Sequence, residues 1–262
     1  MSITGKVYLV GGGPGDPELL TIKASRVLGE ADALVYDRLV SPDIVDMAPA
    51  GCTRIFVGKA AGNHTMPQDE INDLLVKLAR TNHTVVRLKG GDPYIFGRGS
   101  EEALHLSQCG VPFEIVPGIT AAAGISAATG IPLTHRELAN GVKFVTGHGR
   151  GDTELDLDWK SLVDPQTTIV IYMGLGKIDK LSRELINAGL NPDTPAAAIA
   201  NGTQAAQRQC LSTLAQLPDA VKAIELKPPV LCVIGQVVSL AQQLNWQGLS
   251  YEGQDEDEQV SA

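Results

Sequence analysis

The sequence predicts an α/β protein built as two α/β domains, with a parallel sheet in the N-terminal domain and a mixed sheet in the C-terminal one. Three observations predict it. Short runs rich in Val, Ile, Leu and Ala alternate with segments of helical periodicity through the first half of the 262 residues. Each of those runs ends in a polar or glycine-rich motif. A break near residues 130–141, Gly130-Ile131-Pro132-Leu133-Thr134-His135-Arg136 at its head, is followed by a second and less regular alternation. The boundaries expected are 1–134, 135–248 and a short tail over 249–262.

The first strand is expected at Lys6–Val10. Gly11-Gly12-Gly13-Pro14-Gly15-Asp16 follows it, and Asp16-Pro17 reads as a helix entry, a capping side chain before proline at the first helical position. Such a loop presents bare backbone at a strand end. It is not a dinucleotide fingerprint: Gly11 and Gly13 require a third glycine at residue 16, where Asp16 stands. Further strands are expected at Ala33–Tyr36, Arg54–Val57, Thr84–Leu88 and Phe113–Val116. Between the third and fourth, Ile71, Leu74, Leu75 and Leu78 recur at helical spacing over Gln68–Arg80. Strands separated by helices imply right-handed crossovers and a parallel sheet.

In the second half, strands are expected at Val142–Thr146, Thr168–Tyr172, Ala196–Ala200, Gln209–Thr213 and Val230–Ile234, with helices at Lys177–Ala188 and Leu214–Ile224. The alternation here is less regular, which points to a mixed sheet.

Hydrophobic residues make up 44% of the chain and aromatics only 4%, so the core must be aliphatic. Of the formal net charge of −9, five units sit on Glu252, Asp255, Glu256, Asp257 and Glu258, an end expected to be disordered. This balance argues against nonspecific nucleic-acid binding, which needs a basic face. Cys52, Cys109, Cys210 and Cys232 are far apart and form no C-x-x-C, so isolated reduced thiols are expected rather than a metal or disulfide framework. No basic-then-apolar leader opens the sequence, and no apolar run reaches membrane-spanning length. The expectation is a cytoplasmic protein with no metal, no membrane partner and no nucleic-acid partner.

Ligands of parallel sheets bind beyond the carboxyl ends of the strands. Every polar motif of the first half falls there: the glycine loop, then Asp37-Arg38, Gly58-Lys59, Lys89-Gly90-Gly91-Asp92-Pro93 and Pro117-Gly118-Ile119-Thr120. Turn chemistry alone accounts for Gly-Asp-Pro, and a surface ion pair for Asp37-Arg38. Five motifs at five strand ends speak for a shared ligand edge. Arg98 in Phe96-Gly97-Arg98-Gly99 and Arg136 in Thr134-His135-Arg136 suit a carboxylate or phosphate ligand in an otherwise acidic chain. His135 and His148 are too isolated to define a metal site.

In their order, these motifs resemble the tetrapyrrole methylase family. The matching stretches run from Val10–Asp16 through Val35–Val40, Val57–Lys59, Val86–Pro93, Ile95–Gly99 and Val116–Ala121 to Gly130–Arg136, Thr146–His148, Tyr172–Leu175 and Asn201–Thr203. The resemblance covers residues 5–247. Tyr36-Asp37-Arg38-Leu39, Phe96-Gly97-Arg98-Gly99 and Leu133-Thr134-His135-Arg136 look like those of family members that methylate uroporphyrinogen III. The segment Gly149–Asp158 is slightly long and acidic by comparison.

The resemblance implies two α/β domains with S-adenosyl-L-methionine bound in the cleft between them, and a homodimer. It implies two successive methyl transfers to carbons 2 and 7 of uroporphyrinogen III, giving precorrin-2 through precorrin-1. By the same analogy, Pro14, Gly90, Gly91, Asp92, Ile95, Thr120, Ala121, Met173 and Gly202 contact the cofactor. Asp37 and Lys59 take the places of proton acceptor and proton donor. Arg38, Arg98, Glu101 and Arg136 face the tetrapyrrole. A methylase acting on another precorrin, a nicotinamide-dependent dehydrogenase and a non-enzymatic tetrapyrrole carrier are the alternatives.

Overall fold

The computed structural model describes residues 5–58, 66–149 and 155–252. Lys59, the expected proton donor, lies outside the described residues, as do residues 150–154 of the long acidic segment and 253–262 of the tail. The chain divides into two compact units, Met1–Gly124 and Ile125–Ala262.

The first unit holds five strands: β1 (Lys6–Gly11), β2 (Ala33–Tyr36), β3 (Thr53–Phe56), β4 (Thr84–Lys89) and β5 (Phe113–Val116). They lie in the order β3-β2-β4-β1-β5, and all pairings are parallel. Helices α1 (Ile22–Gly29) and α2 (Pro42–Val45) cover one face, and α3 (Gln68–Ala79) and α4 (Gly99–Gln108) the other. Strand alternation dictates the split. Val10 packs with Ala24 and Leu28 of α1, whereas Val7 and Leu9 pack with Leu75 of α3 and Leu106 of α4. The chain leaves β1 toward β2 on one side and leaves β4 toward β5 on the other. The gap between β1 and β4 is therefore the switch point at which such sheets take ligands.

The entry to the first helix differs from the expectation. Asp16 does cap, accepting from Glu18 N at 2.9 Å, but the segment it caps is one 3-10 turn, Pro17–Leu19. The α-helix starts only at Ile22, capped by Thr21 Oγ1 accepting from Ala24 N at 3.1 Å. Leu20 and Thr21 are extended, so the turn and the helix are separate pieces.

Helix α5 (Ala121–Thr129) carries the division between the units along the chain. In the second unit β6 (Gly141–Thr146), β7 (Thr167–Tyr172), β8 (Pro195–Ala200), β9 (Arg208–Thr213) and β10 (Val230–Ile234) form a sheet ordered β6-β7-β10-β8-β9. Only β6–β7 is parallel; the other three pairings are antiparallel, giving the mixed sheet. Helices α6 (Trp159–Leu162), α7 (Ile178–Ala188) and α8 (Leu217–Ala223) complete the unit, α8 starting three residues later than expected because Leu214 to Gln216 form a turn. Leu181 and Leu185 of α7 bury fully against Ala196 and Ala198 of β8, each contributing about 1.5–3 kcal/mol. The start of the tail departs from the expected disorder: Glu252 N donates to Gln209 O at 2.9 Å, and its carboxylate receives both Nε and Nη2 of Arg208 at 2.8 and 2.6 Å. No described helix is long and apolar enough to cross a membrane.

Candidate active site

Three loops converge at the carboxyl end of the first sheet. Gly12 N donates to Lys89 O at 2.7 Å, Gly13 N to Gly91 O at 3.1 Å, and Gly91 N to Gly13 O at 2.7 Å. The loops after β1 and β4 are thus stitched across the switch point. The loop after β5 joins them through Asp92, whose Oδ2 accepts from Gly118 N at 3.0 Å while Oδ1 accepts from Tyr94 N at 2.8 Å. Asp92 is therefore fixed in direction while still half-buried. These contacts account for the glycines physically. A Cβ on Gly118 would lie 2.3 Å from Gly91 O, and Gly13 and Gly91 have φ of +69° and +68°.

The same convergence gathers Pro14, Gly90, Gly91, Asp92, Thr120 and Ala121 of the expected cofactor residues at the ends of β1, β4 and β5, with Ile95 in the turn after Asp92. Asp37 and Arg38 follow β2. Arg98 and Glu101 sit at the start of α4, where Arg98 Nε and Nη2 meet the two oxygens of Glu101 at 2.9 and 2.7 Å. That hydrogen-bonded pair pushes the Arg98 pKa above its ordinary value, so the guanidinium stays charged. Both members are exposed.

Asp37 is held by partners other than the neighbouring Arg38. Its Oδ1 accepts from Leu39 N at 3.0 Å, and its Oδ2 accepts from Arg87 Nη2 at 3.2 Å. Arg87 is buried on β4 and also reaches Glu102 Oε1 with Nε, at 3.1 Å. Lys89 Nζ donates to the same Oε1 at 2.8 Å. Burial, and then the Arg87 charge, push the Lys89 pKa down. The sequence alone singles out neither Arg87 nor Glu102, and Lys89, expected in the loop after the fourth strand, is instead the last residue of β4. The signal was there: two cations two apart on a strand otherwise made of Thr84, Val85, Val86 and Leu88 must share a face.

In the second unit, Met173 follows β7 and Gly202 follows β8. Strands β7 and β8 are both antiparallel to β10, so they run the same way and these residues share one sheet end. Arg136 is exposed in the turn closed by the His135–Ala139 bridge. The backbone marks the same places. Six described non-glycine residues have positive φ: Phe96, Arg98, Met173, Asn201, Thr203 and Glu225. The first five are, or adjoin, residues expected at the site. Left-handed backbone costs about 1–2 kcal/mol for residues with a Cβ and persists where surroundings impose it, often at ligand sites.

The family model for tetrapyrrole (corrin/porphyrin) methylases matches residues 6–218. The chain belongs to the tetrapyrrole methylase family. This displaces the dehydrogenase alternative and makes the protein an S-adenosylmethionine-dependent methyltransferase of that family. Among solved tetrapyrrole methylases, it resembles uroporphyrin-III C-methyltransferase from Thermus thermophilus complexed with S-adenyl homocysteine. The TM-score is 0.78 and the identity 41%, over 90% of this chain and 100% of that one. It also resembles cobalt precorrin-4 methyltransferase, with TM-score 0.79 and 29% identity over 89% and 95% of the two chains. The siroheme synthase of Nitrosomonas europaea is 54% identical over 243 residues, 93% of this chain and 51% of that protein. The chain thus spans about half the length of the curated relatives it matches.

Proposed function

We propose that this protein methylates uroporphyrinogen III at carbons 2 and 7, giving precorrin-2 through precorrin-1. The observation that carries the reading is the likeness to the Thermus thermophilus enzyme over the whole of that enzyme's chain. The strand-end residues fit the donor. A cationic sulfonium bearing an amino acid suits a fixed, half-buried carboxylate such as Asp92, ringed by loop backbone. In this reading Pro14, Gly90, Gly91, Asp92, Ile95, Thr120, Ala121, Met173 and Gly202 hold S-adenosylmethionine. When bound, it supplies a methyl group already activated on sulfur.

The work left to the chain is chiefly to align carbon, methyl and sulfur, an entropic task. An electron-rich pyrrole carbon is the nucleophile, and its alkylated ring system must then lose a proton. Asp37 takes that proton, and Lys59 manages the complementary one. The substrate carries eight carboxylates, while the protein is acidic overall, so local cations must do the binding. Arg38, Arg98 and Arg136 provide them, with Glu101 orienting Arg98. A cytoplasmic homodimer belongs to the same reading.

A second reading, methylation of a later precorrin, is favoured by the likeness to cobalt precorrin-4 methyltransferase. Incubation with uroporphyrinogen III and S-adenosylmethionine, followed by product mass, decides. The expected result is a singly methylated intermediate giving way to a doubly methylated product. An unmethylated tetrapyrrole after prolonged incubation supports the second reading. Tight binding with no methyl transfer to any precorrin would return the carrier alternative.

A further inference from the structure

We propose that Glu102, acting through Arg87, is the positioning residue that fixes the Asp37 carboxylate and sets how strongly it holds a proton. The proposal rests on the reading of Asp37 as proton acceptor.

The geometry is a chain of charges confined to the first unit. Arg87 spans two carboxylates, with Nη2 3.2 Å from Asp37 Oδ2 and Nε 3.1 Å from Glu102 Oε1. Its Nη1 donates to Leu88 O at 3.0 Å, so the guanidinium is tied in three directions and cannot swing. Glu102 is anchored in turn by Lys89 Nζ at 2.8 Å and Gln68 Nε2 at 3.2 Å. Leu39 N, at 3.0 Å, holds the other oxygen of Asp37. Asp37 is thereby aimed from both sides before any substrate arrives.

Stability does not explain this arrangement. The side chain of Glu102 is 0% exposed and that of Arg87 4%, and Glu102 Oε2 has no hydrogen-bond partner among the described residues. A buried carboxylate with one oxygen unsatisfied is costly, and apolar residues of similar size are commonly as stable in such places. A positioning role gives the cluster a purpose. Charges interact strongly in a dry site, so what Glu102 takes from the Arg87 field is withheld from Asp37.

Among the described residues, the charged groups around Asp37 are Arg87 and Lys89 on β4, Glu102 on α4, and Arg38 next to it in the chain. Arg98, which feels the charges of both Glu102 and Asp69, adds its field at the Glu102 end of the cluster. In Glu102→Gln, Arg87 is left with one carboxylate to neutralise. It stabilises ionised Asp37 more, and a less basic acceptor removes a proton more slowly.

The test uses the purified full chain with uroporphyrinogen III and S-adenosylmethionine. Glu102→Gln should lower kcat roughly three- to tenfold and move the acidic limb of its pH profile downward, with the Kd for S-adenosylhomocysteine within twofold. Arg87→Lys, which cannot bridge both carboxylates, should lower kcat at least tenfold with cofactor affinity equally intact. It serves if Glu102→Gln fails to fold. Unchanged kcat in Glu102→Gln, or in Arg87→Lys where Glu102→Gln does not fold, overturns the positioning role, as does a fall in kcat with an unmoved acidic limb in Glu102→Gln. Asp37→Asn is measured beside them. If it turns over like wild type, the acceptor reading falls and takes this proposal with it. If it is inactive while Glu102→Gln behaves as wild type, the positioning role alone falls.

Discussion

Gly11 and Gly118 lie backbone against backbone, so that a Cβ on Gly11 would stand 2.5 Å from Gly118 N. The contact joins the ends of β1 and β5, and Gly91 O lies against both residues. Gly118→Ala places a methyl 2.3 Å from Gly91 O, a backbone atom that cannot turn aside. Overpacking of this kind costs roughly 1–3 kcal/mol. Urea unfolding should show that loss, together with weaker S-adenosylhomocysteine binding. A loss below about 0.5 kcal/mol would mean that the loops part easily.

That contact also shows which parts of the site the sequence could reveal. The glycine cluster announces a close approach, and the four motifs that are fully described do fall at strand ends, with β1 and β4 each running one residue further than expected, to Gly11 and Lys89. What each glycine approaches was not legible, because Gly118 lies over a hundred positions from Gly11 and only the fold brings them together. Most of the described strands were legible because apolar runs of four to six residues bounded by polar motifs have few other uses, β3 and β9 being more polar. Helix α4 was not, since Glu102 interrupts its buried face beside Ala103 and Leu106. The partner of Asp37 was misjudged for the same reason: adjacency suggested Arg38, while sheet register places Arg87 beside Val35.

Met173 offers a test of backbone strain. Its φ is 54° and its side chain is 53% exposed, so replacement by glycine loses little burial. Relief of about 1–2 kcal/mol is partly offset by the greater freedom of glycine in the unfolded chain, leaving a net gain of roughly 0.5–1 kcal/mol. Met173→Gly should therefore unfold at higher urea concentration while binding S-adenosylhomocysteine more weakly. Unchanged binding would remove Met173 from the cofactor contacts.

Arg98 is paired with Glu101, yet both are exposed, and such a pair is worth only about 0–1 kcal/mol. Little is lost in turning the guanidinium toward a substrate carboxylate. Arg98→Ala should weaken uroporphyrinogen III binding by about 1.5–3 kcal/mol, the scale of a charge-assisted hydrogen bond. S-adenosylhomocysteine affinity should barely change. Titration showing wild-type tetrapyrrole affinity would take Arg98 out of the substrate site.

Glu114 gives the first unit a dependence on acid. It lies on β5 opposite Tyr8 of β1, where Lys6 Nζ lies 2.5 Å from Oε2 and Lys23 Nζ contacts Oε1. Hydrogen bonds from Lys23 and then Lys6 pull the Glu114 pKa down from 4.5 to about 2. A carboxylate with a depressed folded pKa contributes stability above its unfolded pKa and loses it as pH falls through the folded one. The contribution is therefore complete at neutral pH, declines below about pH 4.5 and is gone near pH 2. Glu114→Gln removes it at every pH. Wild type should be the more stable at pH 7, by an amount kept small by solvent screening of the partly exposed cluster. The difference between the two proteins should then shrink steadily between about pH 4.5 and pH 2.5. Denaturant unfolding of both across that range measures it, and a gap that stays constant or widens toward acid would show that the two lysines do not hold the carboxylate ionised.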